Sequence, residues 1–307
     1  MSKAYVFTRN GGPEVEALVD RDVPAPGPGE LLVAVRAAGV NPVDWKLRDG
    51  YVRPGAEAAP FPAAFGSEAA GTVEAVGPDT EGFAVGDEIF GNPLTGGYAE
   101  HTLFPAAVSA HKPAALSFAE AAVLPVAAAT AHDGLVQLGL APGATLVITG
   151  AGGGVGSAAA QLARHAGLRV IGVASAAKKE FVTSLGAVHI ASGPGLADRV
   201  RAAAPEGVDA VFDLAGGDAL REAATLVADP AAALIGAGDK PLVAELGGAA
   251  VRRARNAEVL RTIGGLAVAG VLRAPIVRIL PLDRAGEALR AVESGHALGK
   301  TVIEVSS

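Results

Sequence analysis

Residues 145–167 read TLVITGAGGGVGSAAAQLARHAG, and five of the eleven residues from Val147 to Ser157 are glycine. The flanks decide what such a run can be. TLVITG is a short apolar, β-branched stretch behind the turn signal APG, the pattern of a buried parallel strand. After the glycines, Ala159, Leu162, Ala163 and Ala166 recur at helical spacing, and Gly167 is a natural helix stop. A strand, a tight glycine turn and a helix form the first half of a dinucleotide-binding βαβ unit. The turn aims backbone N–H groups and a helix N-terminus at a pyrophosphate, and side chains there would hold the phosphate away. The match to G-x-G-x-x-G runs through Ala151, Gly153 and Gly156, with alanine first.

The 307 residues suffice for two domains, and half of them are hydrophobic, so a large core is available. A net charge of −7 without a basic tract excludes nucleic acid and anionic membrane surfaces as main partners. No apolar run is long enough to span a membrane, and MSKAYVFTRNGGPE has no apolar signal core. Cysteine is absent, which removes disulfides, thiolate catalysis and every cysteine-based zinc site. The six histidines are scattered, with no pair at ligand spacing. A cytosolic, metal-free protein is expected.

Up to about residue 115 the chain is rich in Pro, Gly and short Val-rich runs, as in an irregular β domain. From about 118, SFAEAAVLPVAAATAHDGLVQLG reads as helices broken near Pro125. Strands and helices then alternate: RVIGVAS, a helix over Lys178–Leu185, VHIA, a helix over Leu196–Ala204, VDAVFDLAG, a helix near 218–227, and AALIGA. That alternation predicts an α/β fold with a doubly wound parallel sheet. The last stretch, from PIVRIL to KTVIEV, reads strand, helix, strand and is expected to return to the first domain.

In order, PGPGELLVAVRAAGVNPVDWKLRDG, FGSEAAGTVEAVG, GDEIFG, GGYAEH, KPAALSFAEAAVLPVAAATAHDGL, VITGAGGGVGSAAAQLA and HALGKTVIEV span nearly the whole chain. Together they resemble the zinc-free quinone oxidoreductase (zeta-crystallin-like) branch of the medium-chain dehydrogenase/reductases. The resemblance implies a GroES-like β domain from residues 1–117 and 273–307. It adds a Rossmann NADP(H)-binding domain at 118–272, an active-site cleft between them, and a homodimer. Zinc-dependent relatives place a cysteine ligand where this chain has Asn41 and a histidine ligand where it has Ser67. With neither present, no zinc and no zinc-alkoxide chemistry are expected.

About 20 residues past the glycine turn, where an NAD site offers an acid to the ribose, the chain reads GVASAAKK, with no acid before Glu180. A hydroxyl and two lysines suit a 2′-phosphate, so Ser175 with Lys178 and Lys179 predicts NADPH; the two lysines are unranked. Gly152, Gly153, Gly154 and Val155 form the predicted pyrophosphate loop. The resemblance adds Thr130 near the nicotinamide, Asn41 in the same region, and Ala215, Gly236 and Ala237 at the carboxyl ends of strands. It also places Lys300 near the cofactor, although Leu298 stands where an arginine is frequent.

Without metal, the expected chemistry is hydride transfer from NADPH to a quinone or an α,β-unsaturated carbonyl compound. Donors hold the developing oxyanion, and a proton follows from a weak acid or water. Tyr51 and Asn41 are the catalytic candidates. Trp45, Lys46 and Tyr51 share the loop expected to line the substrate site, with Trp45 able to stack on a flat substrate. Asp44 is read as a structural acceptor ordering that loop, Tyr98 as packing, and His132 as filling space. The remaining histidines are assigned to the surface. Arg252, Arg253 and Arg255 are read as the solvated face of a helix. A short-chain dehydrogenase is excluded, because residues four after Tyr5, Tyr51 and Tyr98 are Arg9, Gly55 and Thr102. An enoyl- or ene-reductase acting on a biosynthetic intermediate or enoyl thioester, and a non-catalytic NADPH-binding protein, remain as alternatives.

Overall fold

The structure is a computed structural model that describes residues 1–52, 60–295 and 298–305. The expectations for His296 and for positions 53–59 of the substrate loop lie outside the described residues. The chain divides into two compact units, one of Met1–Val126, Arg255–Val268 and Ile276–Ser307, the other of Ala127–Ala254 and Ala269–Pro275.

The second unit holds a six-stranded, wholly parallel sheet. Its strands are Thr145–Thr149, Arg169–Ala174, Val188–Ala191, Ala210–Asp213, Leu234–Gly236 and Ala249–Ala250. Numbered along the unit, they lie in the order 3-2-1-4-5-6. The first strand is buried at every residue, as a strand covered on both faces requires. The order reverses beside it, so the loops leaving the carboxyl ends of strands 1 and 4 diverge and open a ligand crevice. Val147, Ile171, Val173, Val211, Leu220, Leu234 and Val243 pack one side of this sheet.

The first unit contains two β assemblies. The larger sheet centres on the ten-residue strand Glu30–Gly39, which pairs antiparallel with Ala69–Val76, His101–Pro105 and Lys300–Glu304. The C-terminal strand therefore joins the N-terminal sheet, with Val302 opposite Gly39 and Ile303 opposite Ala38. Its core gathers Leu31, Val33, Phe65, Phe104, Leu289 and Ile303. Ser2–Phe7, Glu16–Arg21 and Ala63–Ala64 form a three-stranded sheet.

Several local readings change. The helices near Pro125 are Phe118–Ala122 and Leu124–Leu138. Pro125 falls in the first turn of the second, where a missing N–H costs little. Arg252, Arg253 and Arg255 do not lie on a helix: they occupy an irregular segment, and the helix begins at Ala257. Side chains take up the backbone groups there: Gln137 donates to Ala250 O at 3.2 Å and accepts from Arg252 N–H at 2.9 Å, Asp133 accepts from Ala254 N–H, and Arg255 has φ +46°. The helix Ala257–Val268 belongs to the first unit, where Gly264 sits against Pro113 and Phe90.

Candidate cofactor site and buried charge cluster

In the second unit the predicted pyrophosphate loop follows the first strand directly. Gly150 has φ +65°, a conformation glycine adopts without strain. Gly153 is the N-cap of the helix Gly154–His165 and supplies no side-chain cap. The first N–H groups of that helix, from Gly154 onward, therefore point out of the turn, with the positive end of the helix dipole behind them. A β-carbon at Gly156 would collide with the backbone of Gly150 and with Ala151 Cα, which is why the helix can start so close to the strand.

Lys178 is half-buried, in a 3-10 turn after the second strand. Its stem lies over the loop: a methyl group on Gly152 would come 2.5 Å from Lys178 Cδ. Burial pushes its ammonium below the usual lysine range. Lys179 and Ser175 are exposed. Ala215 follows the fourth strand, where the Asp213 carboxylate folds the turn by accepting from Ala215 and Gly216 N–H and from the Thr149 hydroxyl. Gly236 ends the fifth strand, and Ala237 N–H is held by Asp213 O at 2.9 Å. Gly152, Lys178, Ala215, Gly236 and Ala237 thus share the carboxyl edge of one sheet. A cradle open to backbone N–H groups, with an ammonium above it and no acid at the ribose position, fits a phosphorylated dinucleotide.

Thr130, 7% exposed and on the helix Leu124–Leu138, meets this edge through Arg253. Its Oγ1 accepts from Arg253 Nη1 at 2.8 Å, and Arg253 follows the sixth strand. Asp133, one turn further along the helix, accepts from Arg253 Nε at 3.0 Å and from Ala254 N–H at 2.9 Å. Burial raises the Asp133 carboxyl, but His132, the Ala254 N–H and Arg253 outweigh it and hold the group below the usual carboxylate range. Sequence reasoning missed Arg253 and Asp133, because their meeting is a pairing 120 residues apart.

In the first unit, Asn41, Ser67, Glu68 and Lys300 form one buried cluster. Lys300 Nζ donates to Val40 O at 3.1 Å, Asn41 Oδ1 at 2.7 Å and Glu68 Oε1 at 2.7 Å. Asn41 Nδ2 donates to Glu68 Oε1 at 2.8 Å and Ser67 Oγ at 3.3 Å. The amide orientation is forced, with oxygen toward the ammonium and nitrogen toward the carboxylate. All three ammonium protons and both amide protons are then engaged within the protein. The resemblance places Lys300 and Asn41 near the cofactor; in this geometry their side-chain N–H groups are all engaged within the protein. Glu68 Oε2 is held by Val126 N–H at 2.6 Å.

The family resemblance sets Asn41 and Ser67 where metal-dependent relatives would carry zinc ligands. Here the nearby carboxylate is already paired with an ammonium, the other donors are an amide and a hydroxyl, and a divalent cation would face the Lys300 charge at close range. This donor set does not fit zinc.

Asp44 is the third residue of the helix Pro42–Arg48 and caps it, accepting the Asn41 N–H at 2.9 Å. The structural reading of this residue thus has its geometry. Asp44 Oδ2 also accepts from the buried Tyr98 hydroxyl at 2.9 Å. Ser67 lies near enough to favour the ionised form, yet its hydroxyl completes no hydrogen bond with Oδ1. Burial pushes the Asp44 carboxyl up to about 6, and the Glu68 charge adds to that, against the hydrogen bonds from Asn41 N–H and the Tyr98 hydroxyl and the nearby Ser67.

Tyr51 lies just past this helix. Gly50, φ +97°, turns the chain; its N–H donates to Leu47 O and the Tyr51 N–H to Lys46 O, a Schellman ending. Tyr51 is 40% exposed. Lys46 Nζ sits 5.7 Å from the Trp45 ring centroid, and Trp45 packs partly against the core. Beneath the loop, Arg48 is buried and holds Glu16 at 2.6 Å, Glu293 at 2.8 Å and Asp49 at 2.9 Å. Among the described residues no group of three His, Cys, Asp or Glu could hold a metal, and no helix is long and apolar enough to cross a membrane.

Residues 27–128 match the alcohol dehydrogenase GroES-like domain, and residues 185–303 match the zinc-binding dehydrogenase family. The chain is 32% identical to an NADPH-dependent alkenal/one oxidoreductase of Arabidopsis thaliana, over 98% of this chain and 79% of that protein. It is 36% identical to the spectinabilin polyketide synthase system protein NorB of Streptomyces orinoci, over 95% of this chain. The chain spans 14% of NorB, a small part of that curated relative. The solved quinone oxidoreductase of Coxiella burnetii superposes with TM-score 0.89 at 30% identity, covering 99% of each chain. With both domain signatures, the sheet order, the alkenal/one oxidoreductase relative and the solved quinone oxidoreductase in agreement, the chain belongs to the medium-chain dehydrogenase/reductase superfamily, in its quinone and alkenal oxidoreductase branch.

Proposed function

We propose that the protein is an NADPH-dependent, zinc-independent oxidoreductase that reduces a quinone or another α,β-unsaturated carbonyl compound. The observation that carries the reading is Lys178 lying across the glycine turn, with no acid at the ribose position. Lys178 would pair with the 2′-phosphate, and Ser175 and Lys179 stand within the same turn. Backbone N–H groups from Gly154 and Val155 would receive the pyrophosphate. Thr130, Ala215, Gly236 and Ala237 would border the nicotinamide half. NADPH, when bound, supplies the hydride.

The acceptor takes a hydride and then a proton. An enone gains negative charge on its carbonyl oxygen, and donors at that oxygen lower the barrier. Tyr51, exposed and with its backbone fixed by the Schellman turn, would hold that oxygen or deliver the proton, and water is the other source. Trp45 and Lys46 would shape the substrate site. The Alkenal/one and quinone oxidoreductase names of the relatives support this acceptor class. The test is oxidation of NADPH followed at 340 nm (the nicotinamide band) with a panel of quinones and enones. Intact binding without turnover on any of them would replace the enzyme reading by a binding-protein one.

A second reading has its own support. The likeness to NorB extends over 95% of this chain, which favours an enoyl thioester from polyketide-type assembly as acceptor. Turnover of a crotonyl thioester well above that of quinones would select it.

A further inference from the structure

We propose that Arg253 is a positioning residue for the nicotinamide half of the cofactor site, acting through Thr130. The inference deepens the NADPH reading and rests on it. Arg253 is on the segment that leaves the last strand of the parallel sheet, at the edge that also carries the glycine turn, Ala215, Gly236 and Ala237. Its guanidinium is planar and only donates. One edge meets Asp133 Oδ2 through Nε, and Nη1 meets the Thr130 hydroxyl oxygen. Asp133 is buried; its Oδ2 also accepts the Ala254 N–H, and its other oxygen, Oδ1, lies 3.4 Å from His132 Nδ1. The carboxylate therefore fixes the guanidinium, and the guanidinium fixes the rotamer of Thr130.

Two features separate this role from phosphate binding. The Arg253 charge is already matched by a carboxylate at 3.0 Å, and its side chain is 18% exposed. Attraction for a free anion is thereby reduced, whereas the geometry of the neighbouring hydroxyl is enforced. The same bonds also tie Arg253 and Ala254 to the helix Leu124–Leu138, which couples this segment to the hydroxyl.

Arg253→Lys keeps a cation for Asp133 but lacks the planar fork that reaches Thr130. The test measures NADPH binding by nicotinamide fluorescence and 2′,5′-ADP binding by calorimetry, on the full chain. 2′,5′-ADP carries the adenosine half alone. The expected result for Arg253→Lys is NADPH affinity and turnover both down about tenfold, the scale of one charged hydrogen bond, with 2′,5′-ADP unchanged. Thr130→Ala should match it, Thr130→Ser should restore wild-type values, and the double variant Arg253→Lys/Thr130→Ala should lose no more than either single one. Equal loss of NADPH and 2′,5′-ADP, or additive losses in the double variant, would overturn the proposal. If the wild type binds both ligands and Arg253→Lys binds NADPH normally, only this inference fails. If the wild type binds neither, the cofactor reading fails with it.

Discussion

Lys300 and Glu68 form an ion pair of 2.7 Å in which the two side chains are 4% and 0% exposed. Removing one partner strands the other in a medium that solvates charge poorly. Lys300→Met should lower stability by about 3–5 kcal/mol, and pairing it with Glu68→Gln should recover part of the loss. Denaturant unfolding of the three proteins checks this. NADPH affinity of folded Lys300→Met should stay within about twofold of wild type, since a shift under 0.5 kcal/mol is expected from an indirect effect. A loss restricted to NADPH affinity would return Lys300 to the cofactor site.

Replacing Lys178 with Ala should weaken NADPH by about one to two decades and leave NADH nearly unchanged, because a charged hydrogen bond contributes roughly 1.5–3 kcal/mol. The exposed Lys179 should show a smaller loss. The pH dependence follows from burial, which lowers the Lys178 pKa from its ordinary 10.5. The ammonium binds phosphate only while protonated. NADPH affinity should therefore fall with rising pH earlier than an ordinary lysine would dictate, while NADH affinity stays flat. Fluorescence titrations of both cofactors across alkaline pH measure it.

Asp44 should make stability depend on pH in the direction opposite to most carboxylates. Its folded pKa, about 6, lies above the ordinary 3.8, so the folded state binds the proton more tightly. Its contribution is most favourable below about pH 3.8 and is lost as pH rises through 6, by up to about 3 kcal/mol. Asp44→Asn keeps an acceptor for the Asn41 N–H and the Tyr98 hydroxyl but cannot ionise. The variant should gain stability relative to wild type between pH 4 and 7, as followed by denaturant midpoints at each pH. A constant difference across that range would remove the titration from Asp44.

Tyr51→Phe should cut turnover on enones by about 10²–10⁴-fold, the range for a positioned acid. Quinones should suffer less, since a hydroquinone anion is a weak base that water can protonate. Gly50→Ala should reproduce part of the defect, because φ +97° strains any other residue and the Tyr51 backbone is held through that turn. Steady-state kinetics on both acceptor classes, with NADPH affinity measured alongside, separate a chemical role from pocket shape.

Strong chelators should leave activity unchanged, and purified protein should contain no stoichiometric zinc. The reason is the ammonium of Lys300 bonded to the carboxylate and the amide where a metal would need them. Abolition of activity by chelator, with rescue by zinc, would reject this.

The strand–glycine–helix unit was legible in the residues themselves, because its signals are local: apolar β-branched residues, a run without side chains, and helical periodicity over about a dozen positions. The stretch holding Asp44, Trp45 and Lys46, read as a loop, is instead the helix Pro42–Arg48, capped from Asn41 and ended at Gly50. The arginines at 252, 253 and 255 were misread for the complementary reason. Their spacing suits a helix, but Gln137 and Asp133, more than a hundred residues earlier, take the backbone N–H groups of Arg252 and Ala254.

What tertiary structure alone decided is where the charges go. Lys178 and Lys179 are adjacent and chemically identical, and only the fold lays one stem across Gly152 and leaves the other exposed. Lys300, Glu68 and Asn41 come from three distant segments, and no pattern along the chain announces that an ammonium, a carboxylate and an amide will close on one another. Backbone preferences act over a few residues and can be read in sequence. A buried ion pair depends on desolvation and on the meeting of remote side chains, so its partners appear only when the chain has folded around them.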